Sequence, residues 1–495
     1  MRTGPEMQVQ QAGDPKRSVD GEAWLAWPIR QRWLSSFRRA VAAHGREIAQ
    51  VIADEIGKPE SEAYVSEVLP LLAAMRWHAR HARGVLRTQR ATGRPAWLLG
   101  RSARVGRAPL GHVLIIATWN YPVGLLGVQL VQAVMAGNRV TVKPSERSPH
   151  SQQLLVRLAA SCGLPDGWLA LADATSEAGE RLVREGMFDK VMFTGGTRVG
   201  AAVAATAAAR LMPSVLELSG HDSAVVLADA DLRKAAERIW LAITMNAGQT
   251  CMAPRRVLVD RSCYRAFLAQ MAPLAAGARP VRLVCSGEAE RCMQQVGAAL
   301  AQGARSLSGV VEPARDGWMR PMVVADCSAA SALVAGDHFG PVLAVLPVDG
   351  VDHALRVHGA SRHRLAVGVY TRSVSRWRRD AGFMMRLRAS VITFNESVTP
   401  TGHPALTIAG SGGSGWGASR GAAGLLELSR PISVTETASW TPAAAPPSAA
   451  AMRWLDRVVR WSHRARRVAR LVSPPVPEST SNVVQPAAAE TESGT

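Results

Sequence analysis

Lysine is scarce in this sequence and supplies only five of the 58 basic residues, at positions 16, 58, 143, 190 and 234. The formal net charge of +19 would otherwise suggest a nucleic-acid or membrane partner. Because arginine carries nearly all of that charge, in a chain rich in alanine and glycine, we attribute the excess to genome composition. No nucleic-acid-binding signature accompanies the charge, so we expect no nucleic acid as a partner.

Cysteine is also sparse, and its spacing excludes two kinds of site. The six cysteines (162, 251, 263, 285, 292 and 327) form no CxxC pair and show no metal-ligand spacing with histidine. We therefore expect free thiols in a reducing compartment and no metal site. The first twenty residues lack the apolar core of a signal peptide, and no stretch approaches the ~18 apolar residues of a spanning helix. These absences predict a cytoplasmic main body.

Cys251 lies in the segment 246–255, a small, polar, glycine-containing turn that can present a sulfur atom to a substrate. A lone cysteine is more often a small buried hydrophobic residue, so its neighbours must decide between the two interpretations. Glu217 stands between two leucines, where partial burial suits a general base. Asn120 has a side-chain amide that can stabilise an oxyanion. Together these residues indicate nucleophilic catalysis by Cys251.

The remaining pattern is an alternation of helices and short apolar strands, which is typical of an α/β fold. Apolar residues recur at three- and four-residue intervals from 33 to 91, which predicts helices with a break at 57–59. Strands are predicted at 112–117, 139–142 and 190–193, and Asn120 directly follows the first of them. The carboxyl ends of parallel strands are where open α/β sheets bind ligands.

Seven motifs in a fixed order reveal a family likeness. They lie at 119–122, 137–146, 193–200, 216–218, 248–251, 339–341 and 414–417. With them the sequence resembles the NAD(P)-dependent aldehyde dehydrogenase superfamily from roughly residue 33 to residue 431. It looks most like the branch of that family that acts on fatty and aromatic aldehydes.

The resemblance implies a domain organisation. It implies a doubly wound cofactor-binding domain (21–92 and 109–218), an α/β catalytic domain (219–428) and a small β-hairpin extension (93–108 and 429–437). That extension would join the subunits of a homodimer or homotetramer, although an ordinary solvent-facing loop is the alternative for the stretch from 93 to 109.

The C-terminal region has a different character. Residues 438–452 are predicted to be a linker, and the tail 473–495 is predicted to be disordered. Between them, 453–472 reads as a basic amphipathic helix with seven arginines and one aspartate. Such a helix can lie on an anionic membrane surface as a peripheral contact, or it can pack on the protein's own surface.

The resemblance also implies a site. Cys251 would be the nucleophile, Glu217 the base and Asn120 the oxyanion donor, with NAD or NADP as cofactor and no metal. Cofactor contacts carried over by position are Thr118, Trp119, Lys143, Ser145, Glu146, Gly195, Gly196, Gly200, Asp337 and Phe339.

Two sequence details qualify the cofactor assignment. Glu146 would repel a 2'-phosphate and so favour NAD over NADP, unless it and Lys143 form only a surface ion pair. Gly410, Gly412 and Gly415 match the dinucleotide fingerprint GxGxxG, but they follow the catalytic motifs. The resemblance implies that this glycine-rich stretch is a loop beside the active site.

The predicted reaction is oxidation of an aldehyde, fatty or aromatic, to its carboxylic acid through a cysteine thiohemiacetal and a thioester. Two alternatives stay open. A CoA-acylating dehydrogenase is one, although its members commonly lack the base that Glu217 would provide. A degenerate, cofactor-binding paralogue is the other, because Asp337 replaces the usual Glu and Ser219 replaces the usual Gly.

Overall fold

The computed structural model describes residues 25–95, 98–441 and 448–463. Within these ranges the chain forms two compact units. One comprises the described residues up to 93 together with 103–435, and the other comprises 94–102 together with the described residues from 436 onward. The first unit contains both large sheets and the site described below.

The helices are, in chain order, α1 (Trp27–Ala43), α2 (Gly45–Ile56), α3 (Glu60–Ala63), α4 (Leu69–Leu86), α5 (Gly124–Ala136), α6 (Pro149–Ala160), α7 (Ser176–Glu185), α8 (Thr197–Ala209), α9 (Leu232–Thr244), α10 (Tyr264–Ala276), α11 (Ser286–Ala301), α12 (Ala332–Ala335), α13 (Gly350–Gly359), α14 (Val374–Arg379), α15 (Ala381–Arg386), α16 (Gly421–Glu427) and α17 (Ala449–Ser462). A π-helical turn (Tyr64–Val68) and 3₁₀ turns (Met245–Gly248, Thr399–Gly402) supplement them.

The strands are β1 (Gln89–Arg90), β2 (Arg101–Pro109), β3 (His112–Ile116), β4 (Arg139–Lys143), β5 (Leu169–Leu171), β6 (Lys190–Thr194), β7 (Ser214–Glu217), β8 (Asp222–Val226), β9 (Pro254–Asp260), β10 (Val281–Arg282), β11 (Arg305–Ser306), β12 (Trp318–Met319), β13 (Met322–Ala325), β14 (Val342–Val348), β15 (His363–Arg364), β16 (Ala366–Tyr370), β17 (Val391–Phe394), β18 (Ser411–Gly412), β19 (Gly415–Trp416) and β20 (Ser429–Thr437).

The N-terminal helices follow the predicted pattern with one additional interruption and different ends. Helix begins at Trp27 and ends at Leu86, whereas 33 to 91 was predicted, and Gln89–Arg90 form strand β1. The break at 57–59 is present, because Gly57 ends α2 in the left-handed conformation with φ of 70°. A second break at His44 separates α1 from α2. Sequence reasoning missed this break, although Gly45 directly follows it.

The first sheet has the strand order β19-β7-β6-β3-β4-β5. All neighbours are parallel except β19 and β7. The chain passes from β3 to β4 and β5, then returns to the other side of β3 to form β6 and β7. This reversal opens a crevice at the carboxyl end of β3, and the predicted doubly wound arrangement is confirmed.

The second sheet has the order β11-β13-β14-β9-β8-β16-β17, and its neighbours are parallel except β11 and β13. Separate hydrophobic clusters cover the two faces of each sheet. Burial on both faces explains why the strands read as continuous apolar runs and not as alternating ones.

The segment 415–428 departs from the sequence-based domain assignment, which places it in the catalytic region 219–428. In the structure β19 is an edge strand of the first sheet, and Leu425 and Leu428 join the cluster that covers that sheet. The chain therefore returns to the first sheet before it reaches residue 429. Residues 429–437 form β20, which belongs to a small sheet with the order β1-β2-β20.

The C-terminal helix begins at Ala449, four residues before the predicted start, so the predicted linker 438–452 extends too far. The side chain of Ser448 accepts a hydrogen bond from the Ala451 amide, and alanine has the highest helix propensity. Residues 464–472 and the predicted tail 473–495 lie outside the described residues. Within the described ranges, every helix is too short or too polar to cross a membrane.

Candidate active site

One cavity of about 890 Å³ in the first unit brings the three predicted catalytic residues together. Asn120 lies on the loop after β3, Glu217 ends β7, and Cys251 lies in the turn before β9. All three side chains belong to the cavity wall. They come from separate strand ends, as expected for a site at the edge of an α/β sheet.

Asn120 is buried and its side chain is held on both sides. Its Oδ1 accepts a hydrogen bond from Thr118 Oγ1 at 3.0 Å. Its Nδ2 donates to the carbonyl oxygen of Gln249 at 3.1 Å. An amide nitrogen carries two N–H groups, so Asn120 Nδ2 has a second N–H to donate.

The turn before Cys251 has an unusual backbone. Asn246, Ala247 and Gly248 all have positive φ, with values of 51°, 52° and 75°. A Cβ at position 248 would lie 2.5 Å from the backbone nitrogen of Pro341, which excludes any residue but glycine. Two consecutive non-glycine residues in this conformation indicate backbone strain, which proteins retain mainly at functional sites.

Cys251 is a protonated thiol at neutral pH in this arrangement. Burial, followed by the negative charges of Glu217 and Asp222, raises the pKa of Cys251 to about 12. The buried guanidinium of Arg420, which also lines the cavity, acts in the opposite direction. Formation of the reactive thiolate therefore requires loss of a proton to water or to a base in the cavity.

We expect the alkylation of Cys251 by iodoacetamide to accelerate about tenfold per pH unit from pH 7 upward, because only the thiolate reacts. No plateau should appear below pH 10, whereas a cysteine of ordinary pKa, about 8.5, levels off near pH 9. Mass spectrometry of the peptide that contains Cys251 gives the rate. A plateau between pH 7 and pH 9 would show that the thiol is more acidic than its burial indicates.

Glu217 is partly buried between Leu216 and Leu218 and is fixed by a neighbouring helix. Gln129, on α5, donates from Nε2 to Glu217 Oε1 at 3.2 Å and to Thr194 Oγ1 at 2.9 Å. The glycine-rich strand β19 pairs with the strand that carries Glu217, opposite Gly415. The GxGxxG match thus lies against the candidate base, but it contains the short strands β18 and β19 where a loop was predicted.

Several predicted cofactor residues line the same cavity. They are Thr118, Trp119, Gly195, Gly196, Asp337 and Phe339. The rings of Trp119 and Phe339 meet edge to face at 5.8 Å between centroids. Helix α8 begins immediately after Gly196, where an added Cβ would meet nothing within 4 Å. The free N–H groups of this helix and the open space before it fit a pyrophosphate.

The other predicted cofactor residues lie near the sheet edge but outside this cavity wall. Lys143 ends β4, next to β3, and its Nζ is 3.1 Å from Glu146 Oε2. Burial alone would raise the pKa of Glu146, but its own backbone N–H and Lys143 hold that pKa below its usual range. Ser145 is buried, and its amide donates to Gln152. These positions suit the ribose contacts that the resemblance implies.

Gly200 has a packing role in the structure. It lies inside α8, and a Cβ there would be 2.3 Å from a methyl carbon of Leu218. The absence of a side chain at 200 lets α8 approach the strand end that carries Glu217.

Sequence reasoning missed several polar residues of the cavity region, and three of them lie near Cys251 or Glu217. Arg420 is one arginine among many, and nothing in its motif marks it. Gln129 lies in an apolar helix, where a lone polar residue is a weak signal. Tyr121 was quoted only as part of a motif, yet its hydroxyl is 2.7 Å from Thr250 Oγ1, beside Cys251.

Comparison with known proteins gives one family. The family model described as "Aldehyde dehydrogenase family" matches residues 5–434. The chain is 32% identical over 421 residues to the 4,4'-diapolycopene aldehyde oxidase of a Methylomonas species, covering 83% of this chain and 78% of that protein. It is 28% identical to the 4,4'-diapolycopene-4,4'-dial dehydrogenase of Cytobacillus firmus, covering 81% of this chain and 88% of that protein.

The solved structures agree with the sequence comparisons. The Mycobacterium tuberculosis aldehyde dehydrogenase complexed with NAD+ superposes with a TM-score of 0.78 at 26% identity. The match covers 86% of this chain and 88% of that one.

Proposed function

The chain belongs to the aldehyde dehydrogenase family, so it is an NAD(P)-dependent oxidoreductase acting on aldehydes, and we propose that its substrate is a large apolar aldehyde. The observation that carries this proposal is the cavity that joins Cys251, Glu217 and Asn120 to an apolar wall. The proposed product is the carboxylic acid.

In the proposed first step, the Cys251 thiolate adds to the aldehyde carbonyl and a C–S bond forms. The proton of the thiol leaves to a base in the cavity. The Asn120 amide and the Cys251 backbone N–H donate to the resulting oxyanion of the thiohemiacetal. Trp119, Asp337 and Phe339 would hold NAD+, which would accept the hydride released from the C–H bond of the adduct. The carbonyl re-forms as a thioester when the C–H bond breaks.

In the proposed second step, Glu217 removes a proton from a water molecule that attacks the thioester carbon. The C–S bond breaks, the acid is released, and Cys251 is regenerated. Gln129 holds the carboxylate in place for this role. The presence of Glu217 in the cavity favours hydrolysis over acyl transfer to CoA.

The substrate class follows from the remaining wall of the cavity, which is mainly hydrocarbon. Apolar lining residues are Val65, Pro70, Ala74, Leu125, Val128, Met245, Met252, Leu365, Val398, Pro404 and Ile408. Each methylene group that a substrate buries against such a wall lowers the free energy of the bound state. Two relatives are named for diapolycopene aldehydes. Fatty and aromatic aldehydes are therefore the proposed substrates.

An aldehyde panel tests this class. We expect kcat/KM to rise about fourfold for each CH₂ added from acetaldehyde towards dodecanal, because each buried CH₂ contributes ~0.8 kcal/mol. The measurement is initial NADH formation, with benzaldehyde in the same panel and with NAD compared against NADP.

A variant of the wall provides the control. Leu125→Asn keeps the side-chain size but makes the wall polar, so kcat/KM should fall about tenfold for dodecanal and stay unchanged for acetaldehyde. Equal kcat/KM values along the whole series would exclude an apolar substrate. NAD binding without turnover of any aldehyde would instead support the degenerate paralogue.

The assembly proposed is a homo-oligomer joined through the small sheet. Strand β20 lies at an edge of that sheet, and its residues after Ser429 are exposed. An exposed edge strand offers unpaired N–H and C=O groups to a second copy. The proposed assembly is a homodimer or a homotetramer.

Helix α17 is proposed to contact an anionic membrane surface. Trp454, Val458 and Trp461 share one face at helical spacing, and both tryptophans are mostly exposed, at 60% and 80%. Arginines 453, 457 and 460 lie on another face. A basic helix with interfacial tryptophans matches the interfacial class of amphipathic helices. We propose a cytoplasmic location with α17 as a peripheral membrane contact.

Vesicle sedimentation tests this contact. The full chain should sediment with vesicles of phosphatidylglycerol and phosphatidylcholine but not with phosphatidylcholine alone. Trp454→Ala/Trp461→Ala should remove most of the binding, and Trp440→Ala, an exposed tryptophan outside the helix, should not. Equal sedimentation of the double variant and the wild type would contradict the contact and favour packing on the protein itself.

A further inference from the structure

The segment that begins at the helical break 57–59 carries a buried ion pair. Lys58 Nζ is 2.5 Å from Glu67 Oε1, and both side chains are completely buried. Lys58 follows Gly57, and Glu67 lies in the π-helical turn 64–68. Turns of this kind occur frequently at functional sites.

The pair makes hydrogen bonds to both ends of the loop that carries Asn120. Lys58 Nζ donates to the Asn120 carbonyl oxygen at 3.0 Å and lies 3.9 Å from the centroid of the Tyr121 ring. Glu67 Oε2 accepts the backbone N–H groups of Val123 at 2.9 Å and Gly124 at 3.1 Å. One carboxylate and one ammonium thus fix the backbone from residue 120 to the start of α5.

The same segment also holds the turn before Cys251. Glu62 Oε1 accepts the backbone N–H of Asn246 at 2.5 Å. Asn246 Nδ2 donates to the Asn120 carbonyl at 2.9 Å and to the Gln249 carbonyl at 3.0 Å. The Asn120 carbonyl therefore receives donors from both Lys58 and Asn246, which joins the two loops.

Stability alone does not account for such a pair. Removing two charges from water costs several kcal/mol per ion, and an apolar pair of similar volume is often as stable or more so. The contacts of Lys58 and Glu67 are instead directional and converge on backbone groups of the Asn120 loop. Geometry at that loop matters because a 1 Å misplacement near the reacting atoms can lower a rate about 10²-fold.

We propose that Lys58 and Glu67, assisted by Glu62, are positioning residues that set the distance between the Asn120 amide and the Cys251 sulfur. This inference rests on the proposed function, because the distance matters only if an oxyanion forms there. The residues touch neither substrate nor cofactor in this role. They act through the backbone of the Asn120 loop and through Asn246.

The test replaces the pair with uncharged residues of similar size. Lys58→Met/Glu67→Gln removes both charges together, so neither member of the pair is left as an unpaired buried charge. We expect kcat for NADH formation to fall about 10- to 100-fold, while KM for NAD and for the aldehyde changes by less than about threefold. The first-turnover burst rate should fall by the same factor as kcat, since the loss is in the chemical step.

A second ion pair of the same type is the matched control. Lys190 Nζ is 2.6 Å from Glu427 Oε2, and neither residue lines the cavity. Lys190→Met/Glu427→Gln should keep kcat within about twofold of the wild type, whatever its effect on Tm. If the Lys58 double variant does not fold, Glu62→Gln is measured instead, because it leaves the buried pair intact and retains an acceptor oxygen for the Asn246 amide.

A readout without turnover separates this inference from the proposed function. Hydrogen exchange of the Val123 and Gly124 amides should accelerate in the Lys58 double variant and stay unchanged in the control pair. If the wild type oxidises no aldehyde, the proposed function fails, while faster exchange would still show that the pair holds the loop. The positioning role is overturned if kcat stays within about twofold, if it falls equally in both pairs, or if exchange is unchanged.

Discussion

Cys251→Ala is expected to lower kcat for NADH formation by about 10⁴-fold or more. The aldehyde carbon must become tetrahedral and bear an oxyanion before its C–H bond can break as a hydride, and the sulfur of Cys251 supplies the fourth substituent. The Asn120 amide and the apolar wall remain in the variant, but they have no covalent adduct to stabilise. The measurement is steady-state NADH formation with the best aldehyde of the panel.

The affinity for NAD separates loss of chemistry from loss of structure. It should change little in Cys251→Ala, because the residues assigned to the cofactor lie elsewhere on the cavity wall. Cys162→Ala is the matched control, since Cys162 is partly exposed and lies outside the cavity wall. Turnover by Cys251→Ala above about 1% of the wild-type rate would show that Cys251 is not the nucleophile.

Glu217→Gln is expected to separate the two halves of the reaction. The first turnover should still give one NADH per active site, followed by steady-state turnover about 10²- to 10⁴-fold slower, because no base activates water. Iodoacetamide should also alkylate Cys251 faster in this variant, because the charge of Glu217 is one of the causes that raise the pKa of the Cys251 thiol. Stopped-flow absorbance and peptide mass spectrometry measure the two effects.

Added thiols give this variant a further test. CoA or a small thiol should partly restore turnover in Glu217→Gln by attacking the accumulated thioester in place of water. Glu237→Gln, a surface residue paired with Arg233, is the matched control and should behave as the wild type does. If the wild type itself requires CoA, the CoA-acylating alternative replaces hydrolysis. A variant without a burst would indicate that Glu217 acts before hydride transfer.

The three proposed catalytic residues could be predicted because each lies in a locally constrained sequence. Cys251 follows a turn that needs Gly248, and Glu217 ends an apolar strand. Asn120 follows a β-branched strand whose carboxyl end faces the crevice. These features depend on a few neighbouring residues, so a single sequence displays them.

The supporting residues were not predictable because their partners are distant in the chain. Lys58 meets the Asn120 carbonyl 62 residues away, and Glu62 meets the Asn246 amide 184 residues away. The return of Leu425 to the first sheet is another long-range contact without a local signature. The start of α17 was missed for a simpler reason: an alanine run after proline reads as linker, whereas Ser448 makes it a capped helix.

Intact-protein mass spectrometry of Glu217→Gln, mixed with NAD+ and an apolar aldehyde, tests the central claim most directly. A thioester at Cys251 adds the mass of the aldehyde less two hydrogen atoms, because the thiol hydrogen and the aldehydic hydrogen are both lost. We predict this adduct on the peptide that contains Cys251, its formation only when NAD+ is present, and its absence in Cys251→Ala/Glu217→Gln. NADH formation with no such adduct, or with the adduct on another cysteine, would contradict covalent catalysis by Cys251.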